Sequence, residues 1–245
     1  MPKTLHAICN SPLEWNFNSG RTYSDPFNEI EVDVVQLTPL ALYNYLVFER
    51  LGKLPPEDEF DRAMVAERSI FQTAFLRRFE IWKPIIAAVN GAALAGGMEI
   101  LQATDIRVAG ESARFGVSEA RWGLFPLGGS AVRLPRQIPY TIAADLLLTG
   151  RHITAAEALE IGLIGRVVPD GQALAKALEI AETIAANGPV AVRAILRAIR
   201  ETEGMPENDA FAVEAKIGME VFRSEDAKEG PRAFAEKRRP QFQDR

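Results

Sequence analysis

Hydrophobic and polar residues alternate along this chain in a strand-and-helix rhythm that gives way to helices alone near residue 171. The clearest apolar run, Ile85–Val89, stops at Asn90-Gly91. Bounded by turn signals and too short for a helix, it predicts a buried strand. After Gly96-Gly97 the spacing predicts a helix over 97–103, then strands over 106–109 and 166–168. Helices are predicted over 141–149 and 154–161, the second with Thr154 as N-cap and Glu157 three residues later, the capping-box pattern. Strands alternating with helices predict an α/β fold with parallel strands. Beyond residue 171 the pattern predicts helices over 172–186, 190–203, 207–223 and 225–239. The first stops at Asn187-Gly188-Pro189 and the second at Gly204. Helices this apolar bury a face on the core or on a neighbouring subunit.

The first 82 residues are less regular. A short strand is predicted over 5–9, and Asn10-Ser11-Pro12 and Asn18-Ser19-Gly20 mark loops. Residues 32–54 are apolar and aromatic, broken by Pro39 and closed by Pro55-Pro56. Over 57–82, Phe60, Met64, Ile70, Phe71, Phe75 and Phe79 recur at spacings near three and four, which predicts an amphipathic helix within that stretch. The chain thus divides into an α/β part, 1–170, and a helical part, 171–245.

Composition narrows the function classes. The 245 residues are 47% hydrophobic and 25% charged, an ordinary globular balance. A net charge of −5 argues against nucleic acid as the main partner, while a nucleotide-bearing thioester needs only a local basic patch. Cys9 is the single cysteine, so no intrachain disulfide or thiolate metal cluster forms. His6 and His152 lack metal-site spacing, and no metal is expected. His152 is read as capping or packing near a helix start. No apolar stretch approaches the ~20 residues that span a bilayer, and the N-terminus lacks a basic-then-apolar signal pattern. The expectation is a soluble cytoplasmic protein with no membrane partner.

Candidate chemistry gathers around residue 96. A strand, a glycine turn and a helix start place backbone N–H groups where negative charge can develop, with the Glu99 carboxylate one turn away. Further along stand Asp105-Ile106-Arg107-Val108-Ala109, Phe115-Gly116-Val117-Ser118-Glu119, Gly128-Gly129-Ser130 and Leu148-Thr149-Gly150-Arg151. Ala155-Ala156-Glu157-Ala158, Gly162-Leu163-Ile164 and a C-terminal motif from Lys228 to Arg238 follow. In this order, from about Lys83 onward, these motifs resemble the enoyl-CoA hydratase/isomerase (crotonase) superfamily. A narrower likeness is to actinobacterial hydratases that act on steroid side-chain CoA esters. The resemblance implies a crotonase-like spiral core of ββα units with a C-terminal helical trimerisation region, so a homotrimer or a dimer of trimers is expected. It implies hydration of a trans-2-enoyl-CoA in fatty-acid or steroid side-chain β-oxidation, with coenzyme A as part of the substrate and no cofactor. Isomerisation of a 3-enoyl-CoA and a non-catalytic acyl-CoA-binding role are the alternatives, and a hydrolase or decarboxylase remains open on the same scaffold.

Residue by residue, the resemblance assigns Glu99 to the attacking water and Glu119 to the α-proton. Taken singly, each has a plainer reading: Glu99 pairs with a helix dipole, and Glu119 is a solvated loop carboxylate. Gly96 matches an oxyanion-hole N–H donor, beside its role as a packing turn. Phe17-Asn18-Ser19-Gly20 is either the second donor loop, with Ser19 as donor, or an ordinary turn. Gly97 and Gly128 belong to the substrate-binding glycine motifs. Trp122 and Phe125, with Pro126 and Leu127, line an apolar acyl pocket or pack in the core. Phe234 and Lys237 match positions that reach the CoA of an adjacent subunit; Lys237 otherwise belongs to the solvated cluster Lys237-Arg238-Arg239. The N-terminal part, 1–82, departs from the pattern: the family's opening strands have no place before Phe17, and 32–48 has no counterpart. An atypical or truncated N-terminus is therefore expected.

Overall fold

The computed structural model describes residues 75–77 and 81–244, together with the backbone of 23–24 and 31–37. The chain packs into two compact units. Among the described residues, one includes 35–37, 75–77 and 86–177; the other includes 23–24, 31–34, 81–85 and 178–244.

The apolar run forms strand β3 (Ile85–Val89), buried along its whole length and, from Ile86 on, part of the first unit. A strand covered on both faces reads as a continuous apolar run, which is why alternation is absent here. β3 pairs in parallel with β5 (Ile106–Gly110), Ile86 opposite Ile106, and β5 pairs in parallel with β8 (Arg166–Val168). A second sheet lies in the connections. β4 (Ala92–Leu94) runs parallel to β6 (Arg114–Gly116), and β7 (Ile153–Thr154) runs antiparallel to β6. Helix α1 (Gly96–Leu101) follows β4, and helices α2 (Ser130–Gln137) and α3 (Tyr140–Thr149) follow β6. Two successive strand–strand–helix units therefore lie side by side, β3 paired with β5 and β4 with β6, which is the spiral the family resemblance implied.

The three short strands β4, β6 and β7 escape the sequence pattern, because two or three residues show no periodicity. Helix α2 escapes it for another reason: Gly128-Gly129 and Pro135 read as breakers. Gly129 is the N-cap at φ 129, a conformation side chains resist, and the helix tolerates Pro135 inside it. Helix α4 (Ala155–Glu160) starts as expected, with Thr154 Oγ1 accepting from the Glu157 N–H at 3.2 Å. The Glu157 carboxylate does not complete the box; it pairs with Arg151 at 2.7 Å. The core includes Val89, Met98, Leu101, Phe115, Leu134, Leu146, Ile153 and Leu163. Arg107 donates to the carbonyls of Leu163, Gln102 and Thr104 and to the Gln137 amide oxygen, tying the C-terminal end of α1 to α2.

Helix α5 (Ala173–Ala185) carries the chain from the first unit into the second. In the second unit α6 (Pro189–Glu201) packs beside α7 (Glu207–Phe222), and α8 (Asp226–Ala235) follows. Pro189 at the first helical position suits its missing N–H. The tail is strapped back on α8: Asp226 accepts from the N–H groups of Gln243 and Asp244, and Glu229 from Gln241. Arg238 and Arg232 hold the Glu229 carboxyl down to about 2.

In the N-terminal part, β1 (Tyr23–Ser24) and β2 (Glu31–Leu37) pair antiparallel, Tyr23 opposite Val32. The start of the apolar stretch without a family counterpart is thus a strand, and the residues before Phe17, where the family's opening strands were expected to be missing, lie outside the described residues. Residues 75–77 form a turn with Leu76 at φ 52; the helix expected within 57–82 otherwise falls outside the described residues. The strand expected over 5–9 lies outside the described residues. No described helix is long and apolar enough to cross a membrane.

Candidate active site

The site begins where β4 ends. Ala95 stands at φ 48, ψ −123, a backbone region that costs a side-chain-bearing residue strain. Its N–H donates to Gly116 O at 2.9 Å, extending the β4–β6 ladder by one residue and locking the turn. Its carbonyl accepts the Glu99 N–H at 3.0 Å, the first bond of α1. The N–H groups ahead of Glu99, those of Gly96, Gly97 and Met98, therefore have no intrahelical acceptor. The positive φ falls on Ala95, not on either glycine. What Gly97 supplies is room: a Cβ there would meet nothing within 4 Å.

Glu99 is 3% exposed. Its Oε1 accepts the N–H of Ser130, the first residue of α2, at 3.1 Å. Burial raises the carboxyl above its ordinary value; the N–H groups of Ser130, Gly128 and Gly129 and the Arg133 charge oppose this. Gly128 is buried beneath it. A Cβ at 128 would lie 2.5 Å from Glu99 Oε2 and 2.5 Å from Phe75 Cδ1, so the missing side chain lets those two groups approach. Arg133 donates to the carbonyls of Phe75 and Leu76 at 2.9 and 3.1 Å, and Arg77 to Leu127 O at 2.6 Å. The turn at 75–77 is therefore clamped onto the carboxylate site.

Glu119 opens a 3₁₀ turn, Glu119–Trp122, closed by Gly123 in the left-handed conformation. Its Oε2 is buried with no hydrogen-bond partner among the described residues. Desolvation pushes the carboxyl up to about 7; its own backbone N–H pulls it down, and the Glu99 charge adds to the rise. The carboxyl is not a solvated loop group. Two carboxyls thus interact in different environments: Glu99 is held by the N–H groups that open α2, and Glu119 has only its own backbone N–H, with Oε2 unpartnered among the described residues. Such divergence separates a base from an acid.

The other expected residues fall as follows. Trp122 and Phe125 are exposed, at 68% and 65%. In the second unit Phe234 is 87% exposed on α8 and Lys237 follows it at φ 53. Ser19 lies outside the described residues. His152 does not cap a helix: its Nε2 is 2.7 Å from Ser118 Oγ, beside Glu119. Burial and the Arg121 charge lower its pKa. Phe75, Gln102, Ser130 and Arg133 were missed as site residues. Phe75 reads as one more apolar position of a helix, and Ser130 follows a glycine pair that hides the helix it begins. Only Ser130 carried a hint, through its place in a quoted motif.

The α/β scaffold thus brings two interacting carboxyls together, Glu99 one turn beyond the strained Ala95 and Glu119 in the 3₁₀ turn, the groups that acid–base chemistry uses. The chain belongs to the enoyl-CoA hydratase/isomerase family, which matches residues 61–245 and so takes in the clamped turn at 75–77. Enoyl-CoA hydratase EchA19 of Mycobacterium tuberculosis is 68% identical over 191 residues, covering 78% of this chain and 71% of that protein. A crystal structure of an enoyl-CoA hydratase from Mycobacterium tuberculosis superposes with a TM-score of 0.66 at 48% identity, over 67% of this chain and 65% of that one. A structure from Mycobacterium abscessus, described as an enoyl-CoA hydratase/isomerase, gives 0.72 at 37% identity, over 87% of this chain and 96% of that one.

Proposed function

We propose that this chain adds water across the 2,3 double bond of a trans-2-enoyl-CoA thioester. The observation that carries the reading is the unequal carboxyl pair: Glu99 held by the N-terminal N–H groups of α2, and Glu119 raised to about 7 with an unpartnered oxygen. Glu99 accepts a proton from water as the water oxygen bonds to C3. The π electrons move towards the thioester carbonyl as an enolate. Glu119, protonated near neutrality, gives its proton to C2 as the enolate collapses. One water is added; Glu99 then loses a proton and Glu119 regains one through solvent. Coenzyme A enters only as part of the substrate.

The thioester oxygen takes the Gly96 N–H at the strained Ala95 turn, with a second donor from the Ser19 loop. Each such donor contributes about 2.7–4 kcal/mol in a benchmark enzyme. The open space beside Gly97 admits the thioester, and Gly128, Trp122 and Phe125 border the acyl group. Exposed Ile195, Ile199, Phe211, Met219 and Phe222 on α6 and α7 favour burial against further copies, as a trimer or a dimer of trimers. In that assembly Phe234 and Lys237 reach the CoA of an adjacent subunit. The names of the hydratase relatives support this chemistry, and β-oxidation of fatty-acid or steroid side-chain CoA esters in the cytoplasm is its proposed setting.

The test is loss of enoyl-thioester absorbance with crotonyl-CoA and a longer 2-enoyl-CoA, wild type beside Glu119→Gln. Turnover by wild type that the substitution abolishes supports the reading. A folded wild type inert on both substrates, or a fully active variant, refutes it. Light scattering tests assembly, and a monomer would remove the roles given to Phe234 and Lys237.

A further inference from the structure

Gln102 follows directly on α1, three residues after Glu99, and is 2% exposed. A buried amide is costly unless its polar atoms are bonded. Its Nε2 donates to Ser130 Oγ at 2.8 Å, and Ser130 is fully buried. The backbone N–H of the same Ser130 donates to Glu99 Oε1 at 3.1 Å. The carbonyl of Gln102 accepts from Gln137 Nε2 at 2.8 Å, and Gln137 ends α2. Helix α2 is therefore tied to α1 at both its first and its last residue, each time through Gln102. Yet Gln102 Oε1 is buried with no hydrogen-bond partner among the described residues. A polar pair that leaves one of its own atoms unsatisfied is a poor device for stability, since an apolar pair of the same shape would cost no hydrogen bond. What the pair does hold is the orientation of the Ser130 N–H.

We propose that Gln102 and Ser130 are positioning residues for Glu99: the amide grips the Ser130 hydroxyl and so keeps the first turn of α2, with its N–H, against the Glu99 carboxylate. The inference rests on reading Glu99 as the base. During turnover Glu99 gains and loses a proton, and its attraction for the Ser130 N–H weakens and recovers with its charge. The bond between Gln102 and Ser130 is neutral and does not vary with that charge. It keeps α2 in register while Glu99 is protonated, so the same N–H is in place when the anion returns. Without it, the first turn of α2 loses its side-chain tie to Gln102, while the ties through Gln137 and Arg133 remain, and the Ser130 N–H bonds the anion less closely.

The test uses Ser130→Ala, which removes one oxygen and leaves the backbone N–H, beside Gln102→Leu. The Glu99 carboxyl carbon is titrated by NMR in each protein, its signal assigned by loss in Glu99→Gln. Both variants should move the Glu99 midpoint upwards by about half a pH unit or more. In the enzyme the acid limb of kcat/KM should move with it, with KM changed less than about twofold. The double variant should be no worse than the worse single, because both changes remove one bond. Folded Ser130→Ala with an unmoved midpoint overturns the proposal, and it decides the matter alone should Gln102→Leu fail to fold. Turnover separates the two ideas: wild type without turnover refutes the hydratase reading, while the midpoint still decides whether the pair acts on Glu99.

Discussion

Replacing Gly128 by alanine adds one methyl group at the centre of the site. Its Cβ would stand 2.5 Å from Glu99 Oε2 and 2.5 and 2.7 Å from Cδ1 and Cε1 of Phe75. Carbon atoms in ordinary contact lie about 3.5–4.0 Å apart, so the Phe75 ring must retreat by about 1 Å and the carboxylate by a comparable amount. Neither moves freely: Phe75 is 4% exposed, and Arg133 grips its carbonyl. Gly128 is not among the glycines at positive φ, so the effect is steric, not conformational. A displacement of about 1 Å at a reacting group costs about a hundredfold in rate. Overpacking costs about 1–3 kcal/mol of stability, which for a chain of this size lowers Tm by about 2–12 °C. Steady-state kinetics with crotonyl-CoA and a thermal melt read both quantities. Gly128→Ala should lose about two orders of magnitude in kcat, with KM changed little, and melt earlier. Wild-type kcat in a protein of unchanged Tm would refute the account of how Glu99 is seated.

Gly97→Ala is the contrasting case. Its Cβ meets nothing within 4 Å, so stability should hold or rise by about 0.5–1 kcal/mol from helix propensity, while KM for enoyl-CoA rises because the methyl fills the thioester's space; an unchanged KM would remove Gly97 from the binding surface. Turnover of wild type should fall as pH rises through about 7, where Glu119 loses the proton it donates; a flat profile there would exclude it as the acid. Burial also raises the folded Glu119 pKa above its ordinary 4.5, so the native state binds the extra proton between those values and wild-type stability declines as pH rises across them. Glu119→Gln removes that penalty, so its Tm advantage over wild type should grow from about pH 5 to about pH 8; an advantage independent of pH would contradict the burial argument. Phe115→Ala, in the fully buried centre of β6, should cost about 3–5 kcal/mol in denaturant unfolding; a loss below 1 kcal/mol would place Phe115 outside the core.

Sequence alone determined the strands β3, β5 and β8 and the long helices, because each is a short, mainly apolar run or a periodic pattern bounded by turn residues. It determined the Thr154 cap, and it marked Glu99 and Glu119 through the motifs around them. Tertiary structure decided everything that depends on distant segments meeting. The strands β4 and β6 exist only because each is the other's partner, and no local pattern of three residues specifies that. Helix α2 forms despite its glycines and proline because its first N–H groups find the Glu99 carboxylate. The positive φ of the turn sits on Ala95, whose N–H is held by Gly116 across the ladder. The ionisation of the two carboxyls was likewise invisible in the chain. Both are glutamates in sequence and both are raised by burial; what differs is the supply of donors, three N–H groups at the start of α2 for Glu99 and only its own N–H for Glu119, and that is set by residues some thirty positions away from Glu99.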